Sequence, residues 1–149
     1  IKKLANEIVG SSSNNFEKAK KILEYVHNFI KEKNFAIGFA SALEVLENPK
    51  GDCTEHSVLM SALCKSAGIP TKVVIGLVSV KDKFGYHMWV KVYTGSGWVD
   101  MDPTFNQIFV DPTHIKIAEG ILDEQGFFDM VVKSLHIINN ISIEILETK

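Results

Sequence analysis

The chain has 149 residues, 46% of them hydrophobic, with 16 basic against 18 acidic side chains. That length suits one domain able to bury well over half of its unfolded surface, so residues 1–149 are expected to form a single unit. A near-neutral balance without a basic run leaves no footprint for nucleic acid, and no apolar stretch approaches the about 18 residues of a membrane helix.

The first residue is Ile1 rather than Met, so the chain reads as a piece of a longer product and its composition assigns no compartment. After "SSSNN" (11–15), Phe16, Ala19, Ile22, Leu23, Val26, Phe29 and Ile30 recur at helical spacing. Asn14 or Asn15 is the expected N-cap, and the intervening lysines form the wet face. Residues 38–51, "GFASALEVLENPKG", predict a shorter helix stopped by Asn48-Pro49 and Gly51. The run "CTEHSVLMSALCKSAG" (53–68) is apolar around most of its circumference, as a central helix is; Gly68 ends it, with Pro70 close behind.

The pattern then changes. "TKVVIGLVSV" (71–80) is β-branched and bounded by turn residues, which predicts a buried strand. "GYHMWVKVY" (85–93) and "GWVDMD" (97–102) are joined by "TGSG", a hairpin signal. Residues 105–116 read as a loop. Helical spacing returns over 121–138, weakened by Gly126, and "ISIEILE" (141–147) alternates like a last strand. Helices followed by a meandering sheet predict an α+β fold, with the central helix packed on an antiparallel sheet.

Two cysteines make no disulfide framework. On one helix, Cys53 and Cys64 would stand about 16 Å apart, far beyond the about 7 Å that a bridge spans. Cys64 reads as a small core residue. Cys53 instead sits where a helix begins, and there the unpaired N–H groups and the partial positive charge favour a thiolate. The same N–H groups can receive an oxyanion. Asp52 and Glu55 oppose this by repelling a thiolate, so a base is needed nearby.

Strand alternation nominates that base. His87, Trp89 and Lys91 share one face of their strand, and Trp98, Asp100 and Asp102 share a face of the next. If the hairpin packs on the central helix, His87 meets Cys53 and a carboxylate holds its other ring nitrogen. Asp102, at the strand end before Pro103-Thr104, is the better orienter; Asp100 reads as a solvated charge or a helper.

"GDCTEHSVLMSALCKSAGIPTKVVIGLV", "YHMWVKVY" and "GWVDMDPTF" resemble, in order and spacing, the three motifs of the transglutaminase-like superfamily. "FNQIFVDPTHIKIAEG" (105–120) is similar to the continuation in bacterial members, and the likeness spans about residues 36–120. It implies a papain-related fold with Cys53 as nucleophile, His87 as base and Asp102 as orienter. Asp52 and Thr54 stand where cross-linking animal enzymes carry Gln and Trp, and nothing resembles their calcium sites. The likeness is therefore to the microbial branch, and it implies hydrolysis of a peptide or amide bond in a protein or peptide substrate. Transfer to an amine, or an idle domain that only binds, are the alternatives.

Other residues have plainer readings. Cys53 and His56 have the spacing of a metal half-site that His87 and Asp102 would complete. That spacing is short and common, so the reading calls for no metal or other cofactor, and His56 is expected to pack beside the site near Glu55. His114 reads as a surface or loop-anchoring residue, which the resemblance would alternatively place on the lining of the site without a role, and His27 and His136 read as structural. Trp89 and Trp98 read as sheet-face core, with Trp89 a candidate wall of the cleft. Asn48 is a candidate second oxyanion donor. Asn140 opens a glycosylation-type triplet that carries no weight without a secretory context.

Overall fold

In the computed structural model, which describes residues 1–32, 40–81, 83–137 and 140–144, helices precede the sheet. The elements are α1 (Lys2–Val9), α2 (Asn15–Phe29), α3 (Ala42–Glu47), α4 (Cys53–Ser66), β1 (Thr71–Val80), β2 (Lys83–Tyr93), β3 (Trp98–Met101), β4 (His114–Gly120) and α5 (Glu124–Ile137). The four strands pair antiparallel in the order β3-β2-β1-β4. The α+β expectation holds, and α4 lies on the sheet.

Local chemistry explains the boundaries. Asn14 is the N-cap of α2, its side chain accepting the Glu17 N–H at 2.9 Å. Ser41 and Glu44 bond reciprocally to start α3, so that helix is shorter than predicted; residues 38 and 39 lie outside the described residues. Gly68, at φ 78°, turns the chain after α4, a conformation that costs a residue without a Cβ little. Helix α1 has no counterpart in the sequence reading, although Ala5 and Val9, four apart, are the residues it buries.

Strand alternation sorts the sheet into two faces. Val90, Val92 and Met101 pack with Leu59, Met60, Leu63 and Cys64 of α4, and with Ile22, Leu23 and Val26 of α2. Val73, Met88 and Ala118 gather with Met130 of α5. On the opposite face Lys72, Lys91 and Lys116 converge on Glu119 beside buried Val74 and Trp89. Buried Trp89 lies across Gly76, where an added Cβ would collide with the Ile115 carbonyl and the indole. Gly76→Ala should therefore destabilise the protein by about 1–3 kcal/mol, read as a lower urea midpoint.

Two expectations fail. His114–Gly120 is a strand rather than the end of a loop, pairing with β1 across a register shift at Ile75/Gly76; the hidden signal is that a bulge breaks the alternation. The last strand is absent over 141–144, where Ile141 and Ile143 find no ladder; residues 145–147 lie outside the described residues. Alternation alone does not make a strand without an edge to pair with. Among the described residues, no helix is long and apolar enough to cross a membrane.

Candidate active site

β3 pairs with β2 only over Val90–Tyr93, so before Val90 that edge of β2 is open. The first turns of α4 fill it. Ser57 Oγ donates to the Met88 carbonyl at 3.0 Å, and the Met88 N–H favours the Cys53 thiolate. Cys53 thus approaches His87 around a strand edge, not across the face of the hairpin that the alternation suggested. The face turned to the helices is that of Val90 and Val92.

Cys53 is the first residue of α4. Asp52 caps the helix through the Thr54 N–H at 2.9 Å, and Glu55 returns to the Asp52 N–H at 2.9 Å. Gly51 is required by this box, because a Cβ there would run into the Glu55 side chain. Burial pushes the Cys53 thiol up to about 11; Asp52 and Asp102 add to this, while the Met88 N–H and the Thr54 hydroxyl oppose it. Burial also pushes the Glu55 carboxyl upward.

His87 is held from both sides. Its Nε2 lies 2.6 Å from Asp102 Oδ2, and Phe105 stacks on its ring at 4.9 Å. A carboxylate oxygen only accepts, so Nε2 carries the proton, and in the neutral ring Nδ1 keeps its lone pair. Asp102 is fully buried, and its Oδ1 accepts the Thr104 and Phe105 N–H groups at 2.7 and 3.2 Å. Burial alone would raise its carboxyl; the bonds from His114 and His87, the His87 charge and the Thr104 N–H outweigh burial and hold it well below the usual range. A two-way backbone bridge to Gln107 fixes the residue, and His27 anchors the next one by donating Nδ1–H to the Pro103 carbonyl at 3.1 Å.

Cys53 and His87 open into one pocket of about 250 Å³, lined also by Gly51, Asp52, His56, Val78, Tyr86, Thr104 and Phe105. A larger groove of about 540 Å³ between α1 and α2 offers Lys21 and Glu24 but no thiol and no histidine, so chemistry rather than size marks the site. His56 does pack beside the site, but it donates Nδ1–H to the Asp52 carbonyl at 2.6 Å, not to Glu55. Asn48 does not line the pocket. Asp100 accepts Trp89 Nε1–H at 2.9 Å and does not line the pocket. Trp89 is buried and outside the pocket lining, whereas Trp98 is 42% exposed, with the Lys72 ammonium over its ring, and is not core.

His114 is not a surface residue; it anchors the turn at Asp111 and reaches Asp102. Its ring is buried, with Nε2 3.1 Å from Asp102 Oδ2. Among the described residues, His87, Asp102 and His114 form the only trio of metal-type donors, so Cys53 and His56 are not gathered with His87 and Asp102 into a ligand set. Within the trio, His87 Nε2 and His114 Nε2 both meet Asp102 Oδ2.

The sequence model of the transglutaminase-like superfamily matches residues 2–103. The chain belongs to that superfamily. A candidate cysteine protease from Cytophaga hutchinsonii superposes with a TM-score of 0.70 at 25% identity, over 80% of this chain and 41% of that one. This superfamily member thus spans about two fifths of that protein's length. A structure described as a TGase matches with a TM-score of 0.54 at 20% identity, over 69% of this chain and 31% of the other. LapG of Legionella pneumophila matches with 0.57 at 14% identity, over 93% of this chain and 96% of the other. At those two identities the likeness is one of fold. No curated protein matches the sequence.

Proposed function

We propose that the chain is a thiol-dependent acyl-transfer domain that hydrolyses a peptide or amide bond in a protein or peptide substrate. The supporting observation is the shared pocket: Cys53 and His87 line it, with Asp102 on the far ring nitrogen of His87. In this reading His87 Nδ1 takes the thiol proton as Sγ bonds to the carbonyl carbon, and the charge on the former carbonyl oxygen is met by the Cys53 N–H at the start of α4, the following N–H groups being held by the Asp52 cap. As the C–N bond breaks, His87 returns the proton to the leaving amine. Water, deprotonated by His87, then cleaves the thioester, releasing a carboxylic acid and restoring the thiol. No step calls for a cofactor.

Peptides digested from a cell lysate and incubated with the protein should gain new N-termini, read by mass spectrometry, that are absent with Cys53→Ala. A fluorescent primary amine added to the same mixture should be incorporated less often than water. Dominant incorporation would make the domain an amine-accepting cross-linker. Neither product would favour a binding domain, the reading supported by the upward push on the Cys53 thiol.

A further inference from the structure

His114 stands at the start of β4 with a carboxylate on each ring nitrogen: Asp102 Oδ2 at 3.1 Å from Nε2, and Asp111 Oδ1 at 3.2 Å from Nδ1. Its ring is buried. Carboxylate oxygens do not donate, so both contacts are hydrogen bonds only when both nitrogens carry protons. The one nearby hydroxyl, that of Thr113, is itself directed at Asp111 Oδ1. Asp111 is fixed by the Thr113 N–H at 3.0 Å and by Gln107 Nε2 at 2.8 Å. Its carboxyl is lowered to about 2, chiefly by the Thr113 hydroxyl, so it is an anion at neutral pH.

The geometry points to His114 as a positioning residue: an imidazolium clamped between Asp111 and Asp102 that steadies Asp102 and weakens its pull on a proton at His87. This rests on the proposed role of His87. Asp102 Oδ2 is shared, with His87 Nε2 on it at 2.6 Å, and the two imidazoles lie 5.6 Å apart, edge to face. A cation already seated on that oxygen offsets the carboxylate's charge and repels a second one, so His87 can act as a proton acceptor without being locked in its charged form.

The surroundings contain few competing charges. β1 presents Val78 opposite His114. β2 brings His87, with the Cys53 thiol of α4 in the pocket that His87 lines, and Trp89, whose indole meets the ring edge-on and bonds Asp100. Phe105 is uncharged. His56 of α4 is lowered, chiefly by burial, and Lys116, further along β4, is taken by Glu119. Burial alone would lower His114, but the bonds from Asp102 and Asp111 reverse this and raise it.

The test is histidine-ring ¹⁵N NMR across pH on the full chain. In the parent protein both His114 nitrogens should read as protonated at pH 7. Asp111→Asn, at a half-exposed position outside the pocket, should lower the His114 midpoint by about one pH unit. His114→Gln keeps a donor for Asp102 without the charge, and in it the ¹⁵N resonances of the His87 ring should move from their parent positions. A bare His114 nitrogen at pH 7, an Asp111→Asn midpoint equal to the parent's, or an unmoved His87 ring would each overturn the assignment. Should His114 behave as expected while Cys53 proves inert to alkylation, the assignment stands and the nucleophile reading fails. Should His114→Gln not fold, the Asp111→Asn titration decides.

Discussion

Iodoacetamide should alkylate Cys53 at pH 7, and His87→Ala should slow that reaction by about a hundredfold or more. The expectation comes from two opposed features of the site. On its own environment the thiol is pushed up to about 11, first by burial, then by Asp52 and Asp102. A thiol with that value is almost wholly protonated at pH 7 and reacts poorly. The helix start, the Met88 N–H and the Thr54 hydroxyl reduce the handicap without removing it. The remainder has to come from a partner that takes the proton and becomes positive beside the sulfur, and His87 lines the same pocket. In His87→Ala, alkylation should follow an ordinary or more alkaline thiol, rising only well above pH 8. Cys64 is an internal control: it is fully buried and pushed up to about 12 by burial, so it should stay unmodified in the folded protein. A Cys53 rate that ignores His87 would leave a binding domain on an enzyme's fold.

Much of this arrangement is legible in the sequence because it follows short-range rules. The N-cap at Asn14, the span of β1 and the placement of Cys53 at a helix start all rest on a few adjacent residues. What escaped reading depends on distant partners. That β3 ends opposite Val90, leaving the Met88 N–H and carbonyl for α4, follows from strand pairing rather than from any local pattern. β4 was hidden because its bulge breaks the alternation that a strand normally displays. His114 carries no local sign that it meets Asp102, twelve residues earlier; only the turn through Asp111 and Thr113 brings it back. The "DPTH" sequence, an aspartate-led turn before a histidine, is the trace that could have flagged it.

Asp102→Ala should cost about 3–5 kcal/mol of stability as well as the activity, and the two losses can be separated by pH. The carboxylate is fully buried and accepts from His87, His114 and the N–H groups of Thr104 and Phe105. Removing it strands all four donors, the situation in which a broken buried ion pair is costly. In a chain of this length that loss lowers Tm by roughly 10 °C. Asp102→Asn keeps the shape but turns an amide donor or a weaker acceptor toward the two imidazoles, and activity should fall by about four orders of magnitude through misplacement of the His87 proton. Because the folded-state pKa of Asp102 is depressed, its contribution is complete above the unfolded carboxylate value of about 3.9 and is lost as pH falls through the folded value. His114 has the opposite sign: its folded pKa is raised, so its contribution is complete below about 6.5 and disappears as pH rises through the folded value. Thermal melts of parent and Asp102→Asn should therefore differ most between about pH 5 and pH 6.5 and converge on acidification below about pH 4. A difference independent of acid would mean that Asp102 is held by packing rather than by charge, and that the two histidines do not depend on it.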